Sequence, residues 1–336
     1  MAVRFGPVSA PLRWRAVLVP AAGTVALLLL AALSLGLGDF PIGVADVLRS
    51  LAGTGDPAQQ FVVRELRAPR MVVGLLVGAA LGVAGALFQT SARNALASPD
   101  VLGITQGASA GAVAAIVLGG GGLGVPAAAL AGALVTGALL FGLTWRAGVD
   151  GTRLVLVGIG LWAVASALVD WLLTRADIRD AASAYVWITG SLNARGWEHA
   201  VPLALALGVL LPLALAGSRV LGVLQLGDDP TRGLGVRLAA AQAGAVLVAV
   251  GCVAAAVAAA GPVGFVALAA PQLALRLAGG ARPPVLASAV VGAVLVVGAD
   301  LVARTLLPAA LPVGILTAAV GAPYLLWLLV RGRPTP

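Results

Sequence analysis

Long apolar runs separated by short polar stretches set the pattern of this chain. They fall at 16–37, 68–90, 101–120, 125–146, 153–174, 199–217, 239–260, 263–279, 284–306 and 312–330. Each is close to the roughly 20 residues that cross a bilayer as a helix. The pattern predicts an all-α integral membrane protein with ten transmembrane helices, and an even count returns both termini to one side. Two longer polar stretches do not fit a crossing. The first, 38–66, is predicted to hold a short helix near Val44–Leu51. The second, 179–195, reads as a helix outside the membrane, with Tyr185 and Trp187 at the interface.

A third polar stretch, SRVLGVLQLGDDPTRGLGVR, runs from Ser218 to Arg237 between two apolar segments. Its charges (Arg219, Asp228, Asp229, Arg232, Arg237) require water or a partner. Asp228 or Asp229 suits a helix start, Pro230 the first helical position and Gly235 the end. The stretch is therefore predicted to form a rigid turn or two of helix across the end of the bundle, built to dock another protein. An ordinary solvated loop is the alternative.

Glycine spacing bears on packing. Gly74, Gly78 and Gly82 recur every four residues, as do Gly103, Gly107 and Gly111. Such stripes let helix backbones approach closely in lipid, which places the 68–90 helix at the bundle centre. Between the stripes, the polar break QTSARNALASPD (89–100) either lines a cavity or merely joins two helices.

Composition narrows the function. The chain is 60% hydrophobic, and all 21 of its basic residues are arginine. Without lysine there is no P-loop and no Schiff base. One cysteine (Cys252) and one histidine (His199) leave little material for a disulfide or a zinc site. No cofactor is expected in this chain, and enzymatic chemistry is not expected of it. The arginines lie at segment ends, with a modest excess on the side of both termini, which makes that side cytoplasmic. The whole chain, 1–336, reads as one transmembrane domain, with a cytoplasmic N-terminus (1–15), a charged loop (218–238) and a cytoplasmic C-terminus (331–336).

Four stretches, in order, resemble one family. They are RELRAPRMVVGLLVGAALGVAGALFQTSARNALASPDVLGITQGASAG (64–111), LGDDPTRGLGV (226–236), AGPVGFVALAAPQLALRLAGG (260–280) and ADLVARTLLPAALPVGILTAAVGAPYLLWLLV (299–330). Together they are similar to the iron-siderophore and cobalamin permeases of ABC importers, over nearly the whole chain. Two positions depart from the family pattern: Ala95 stands where it usually has proline, and Gln272 where it commonly has histidine.

The resemblance implies a permease that pairs with a second permease subunit, sits on two ATPase subunits that bind ATP and Mg, and receives substrate from an extracytoplasmic binding protein. It assigns ATPase coupling to the 226–236 loop, including Leu226, Gly227, Asp228, Asp229, Thr231, Arg232, Leu234 and Gly235. It matches Gly151 and Thr152 to a cytoplasmic gate, and the 153–174 and 312–330 helices to the pathway. It matches Arg67, Arg70 and Arg304 to binding-protein docking, where a planar guanidinium suits a carboxylate. For Arg304 an intrahelical pair with Asp300 is the competing role. Asp170 is expected to pair with Arg175 at the interface.

The implied function is import of a ferric siderophore or similar large iron chelate, with haem or cobalamin as the alternative substrates. An ion-coupled secondary transporter is the competing class. Such proteins place ionisable groups at mid-membrane, and these spans are almost free of them.

Overall fold

The computed structural model describes residues 2–5, 8–11, 14–38, 40–119, 124–145, 151–225, 227–280, 284–306 and 311–331. Leu226 and the tail 332–336 lie outside the described residues, as do the side chains of Asp228, Asp229 and Arg232. A hairpin of two four-residue strands, β1 (Ala2–Phe5) and β2 (Val8–Pro11), precedes the helices.

The helices are α1 (Trp14–Gly36), α2 (Val44–Leu51), α3 (Pro57–Phe61), α4 (Ala68–Ser91), α5 (Ile104–Val117), α6 (Gly124–Thr144) and α7 (Gly151–Leu173). They continue with α8 (Ile178–Ile188), α9 (Trp197–Leu224), α10 (Asp228–Gly233), α11 (Leu238–Ala260), α12 (Val266–Ala278), α13 (Val285–Thr305) and α14 (Val313–Arg331). A π-helical turn, Val62–Arg67, joins α3 to α4. Among the described residues, seven apolar helices are long enough to cross a membrane, and α5, α12 and α14 contribute three shorter apolar stretches. These ten correspond in order to the ten apolar runs of the sequence. The short helix expected near Val44–Leu51 is α2.

Helix α4 is the bundle's axis, enclosed by α9, α11, α12 and α13. Its glycines explain how. A Cβ on Gly78 would collide with the backbone of Gly292, and one on Gly82 with the backbone of Ser288, so α4 and α13 meet main chain to main chain. Gly74 faces Leu192 and Val297. Apolar side chains gain little by leaving lipid for one another, so close backbone contact supplies the packing that hydrophobicity supplies in water.

The second stripe divides. Gly107 packs on Thr136, and Gly111 on Ala128 and Gly132, joining α5 to α6. Gly103 does not belong to that face. It precedes α5 with φ 76°, and its Cα lies against the backbone of Trp162 in α7. The four-residue period fails there because the helix has not yet begun.

Two apolar runs give helices shorter than expected. The run 101–120 contributes the 14 residues of α5, and 263–279 the 13 of α12. Each is preceded by irregular backbone, 92–103 and 261–265. Such backbone survives in a membrane protein where neighbouring groups satisfy its amides. In the first segment, Leu102 N–H donates to Ser98 O and Ile104 N–H to Pro99 O. In the second, Phe265 N–H donates to an Asp100 carboxylate oxygen.

Another boundary differs at the charged stretch. Helix α9 continues to Leu224, so the loop predicted from 218 starts later. Asp170 and Arg175 do not form the expected pair; the Arg175 guanidinium lies over the Trp171 ring, 4.8 Å from its centroid.

Candidate coupling and docking sites

Helix α9 sets the two ends of the molecule. Its first residue, Trp197, donates through Nε1 to Arg64 O within the π-helical turn. Its 28 residues then run ~42 Å at 1.5 Å per residue to α10 at the other end.

Helix α10 turns the chain from α9 into α11. Gly227, with φ 103°, precedes it, and Pro230 is its third residue rather than its first. The proline fits because the first four N–H groups of a helix have no partner within it. The hydroxyl of the fully buried Thr231 is shared between Gly227 O at 2.5 Å and Val223 O at 2.9 Å, which ties the short helix to the last turn of α9. At the other end Gly235 takes φ 75°, and Val236 N–H reaches back to Thr231 O at 3.3 Å, a Schellman closure. Leu234 remains 62% exposed. A rigid turn thus presents an apolar side chain outward.

Beside it is a polar cavity of about 310 Å³ lined by Gln89, Arg93, Asn94, Ala95, Gln225, Gln272 and Leu275. Both departures from the family pattern, Ala95 and Gln272, therefore line one space. Gln272 Nε2 donates to Gln89 Oε1 at 2.6 Å, and Gln89 Nε2 to Leu268 O at 3.1 Å. Both glutamines are buried, so the pair joins α4 to α12 through satisfied amides. Gly151 starts α7 against Ala92, where a Cβ would strike the Ala92 carbonyl, and Thr152 beside it is exposed.

The arginines Arg67, Arg70 and Arg304 come together at the opposite end, around the last turn of α1. An α-helix leaves its last four carbonyls without helical partners, and α1 has no basic residue there. Leu37 N–H serves Leu33 O. Arg304 Nη2 serves Ser34 O at 2.6 Å, and also donates to Ser34 Oγ. Arg67 Nη1 serves Leu35 O at 2.8 Å and Gly36 O at 3.2 Å, and Ile42 N–H also serves Gly36 O. Arg67 Nη2 extends to Phe40 O at 2.6 Å. Two chain-distant arginines thereby cap one helix, and their guanidinium charges lie at the negative end of its dipole.

Arg70 binds Asp300, with Nη2 2.7 Å from Oδ1 and Nε 3.1 Å from Oδ2. Arg304 Nε is 3.6 Å from Asp300 Oδ2, an ionic contact within α13. The i,i+4 partnership considered for Arg304 is present, alongside a stronger one with α1. The α1 carbonyls could not be foreseen as acceptors, since backbone groups carry no residue signature.

An apolar cavity of about 350 Å³ lies between α12, α13 and α14. The side chains of Ile159, Trp162 and Val164 on α7, and Ile315 and Val320 on α14, are exposed. The sequence profile of the FecCD transport family matches residues 26–331. The ferric enterobactin transport system permease protein FepG of Escherichia coli is 40% identical over 88% of this chain and 90% of its own length. The achromobactin transport system permease protein CbrC of Dickeya dadantii is 40% identical over 92% and 91%. The Fe(3+) dicitrate transport system permease protein FecD of E. coli is 39% identical over 92% and 97%. Among solved structures, an inward-facing conformation of a metal-chelate type ABC transporter aligns with a TM-score of 0.83 at 29% identity, covering 94% of this chain and 99% of the other. The chain belongs to the FecCD transport family.

Proposed function

We propose that this chain is the membrane-spanning permease subunit of an ATP-driven, binding-protein-dependent importer of a ferric siderophore. The observation that carries the reading is end-to-end similarity to permeases whose names specify ferric chelates, in a chain whose fold aligns with that of a metal-chelate type ABC transporter. The chain is not itself an enzyme; separate ATPase subunits hydrolyse ATP.

Finer assignments follow from the geometry. The α10 end is cytoplasmic, and α10 couples to the ATPase through Leu234 and its neighbours. That side is favoured by the excess of arginine at the same end as both termini. A second permease subunit covers the exposed apolar faces of α7 and α14, and the substrate passes between the two subunits. Gly151 and Thr152 stand at the cytoplasmic end of that route. The binding protein meets the end that holds Arg67, Arg70 and Arg304. Their donors are engaged with α1 and Asp300, so they offer a field of positive charge rather than free forks.

The test is co-expression of the chain with an ABC ATPase subunit and a substrate-binding protein from the same organism. Co-purification should yield a complex of permease and ATPase subunits. Uptake would then be measured with ferric enterobactin, ferric citrate, a ferric hydroxamate, haem and cobalamin. Preference for one of the ferric chelates supports the reading, and preference for cobalamin or haem overturns the substrate class.

A further inference from the structure

The two irregular segments of the bundle meet at Asp100. Its Oδ1 accepts from Thr105 Oγ1 at 2.7 Å, and its Oδ2 accepts from Phe265 N–H at 3.3 Å. The link from α11 to α12, GPVGF, has no polar side chain of its own, so a distant acceptor must serve that amide. Phe265 has φ 65°, a left-handed conformation that a bulky residue seldom adopts. In that conformation its side chain rests on Gly321 of α14, where a Cβ would collide with it.

The same turn seats α7 on its other side. Leu102 fills the space left by Gly158, and Gly103 lies against the backbone of Trp162. Gly158 is ~10 Å along α7 from Gly151 at 1.5 Å per residue, so the contact lies inside the apolar span. Asp100 therefore stands between α7, reached through its own turn, and α14, reached through Phe265.

We infer that Asp100 is a positioning residue for transport: by binding the Phe265 amide it joins the turn that seats α7 to the strained residue that seats α14, so that the two helices move together. The inference rests on the proposed function, in which α7 and α14 flank the substrate route. Opening of one helix without the other would let ATP be spent without passage of substrate.

The test uses the complete importer in proteoliposomes and reads chelate imported per ATP hydrolysed. Asp100→Ala leaves the Phe265 N–H without its acceptor. The ratio should fall several-fold, because the buried N–H is left unsatisfied, while the ATPase subunits stay bound. Asp100→Asn keeps an acceptor oxygen for Phe265, and the Thr105 hydroxyl turns to accept from the new amide, so the ratio should stay near that of the parent. Thr105→Val frees the carboxylate to rotate and should give an intermediate fall; it carries the test if Asp100→Ala fails to accumulate. The inference is overturned if Asp100→Ala or, in its absence, Thr105→Val imports as much chelate per ATP as the parent. It is also overturned if Asp100→Asn falls as far as Asp100→Ala. A parent complex that hydrolyses ATP but imports no ferric chelate overturns the proposed function, and this inference with it.

Discussion

Arg70 and Asp300, 230 positions apart in the chain, form a two-pronged ion pair with its shortest contact at 2.7 Å. The Asp300 side chain is 6% exposed and that of Arg70 22%. The pair fastens the start of α4 to the end of α13 where the glycine contact between those helices begins, and Arg304 brings in α1. Arg70 and Arg304 are thus structural members of this corner before they are a surface for a partner.

Removing one member of such a pair leaves a buried charge alone, at a cost of about 3 kcal/mol, the low end for buried pairs because Arg70 retains some solvent. Asp300→Ala should therefore lower the thermal midpoint in detergent, and Arg70→Glu should do so further. The exchange Arg70→Asp with Asp300→Arg should restore part of the loss. Unchanged stability in Arg70→Glu together with slower binding-protein association would assign the residue to docking alone.

Gly78 and Gly208 differ in what surrounds them. A Cβ at Gly78 meets the Gly292 backbone, whereas Gly208 in α9 has open space around it. Gly78→Ala should destabilise the permease by ~1–3 kcal/mol, as overpacking does, and Gly208→Ala should leave it unchanged or slightly more stable. Thermal unfolding of both variants in one detergent decides the matter; equal midpoints would contradict backbone contact between α4 and α13.

Thr231 holds α10 in place through its hydroxyl. Thr231→Val keeps the shape and removes the hydrogen bond, worth about 1 kcal/mol. ATPase association should weaken several-fold while membrane insertion stays the same and the thermal midpoint of the permease alone falls only slightly. Replacing Asp229-Pro230 by Gly-Gly should weaken it further, because the turn loses its rigidity. Wild-type ATPase affinity in both variants would place the coupling surface elsewhere.

Gln89 and Gln272 test whether the polar cavity depends on a paired amide. Gln89→Leu strands the Gln272 amide and should cost about 1–3 kcal/mol. Gln89→Leu with Gln272→Leu removes both partners and should cost less than the single change. A double-mutant cycle of thermal stabilities reads the coupling directly; strictly additive effects would contradict it.

What was legible in the sequence was local. The ten apolar runs mark the ten apolar helices, and the 44–51 segment is a helix with the expected bounds. The glycine period at 74, 78 and 82 shows which face of α4 approaches its neighbour. Relations across the chain were not legible. Arg67 and Arg304 find acceptors in the α1 backbone, 31 and 270 positions away, and carbonyl groups are the same at every residue. Gly103 has the spacing of a packing glycine but lies one residue before its helix, where φ rather than helical period governs. The short α5 and α12 look like full spans in hydropathy because irregular backbone at that depth is as apolar as helix.

The most direct test of the account is uptake of the preferred ferric chelate by proteoliposomes holding this chain and its ATPase partner. The account predicts accumulation that requires both ATP inside the cytoplasmic-facing compartment and the loaded binding protein on the opposite side. Accumulation driven by a proton or sodium gradient without ATP would contradict it.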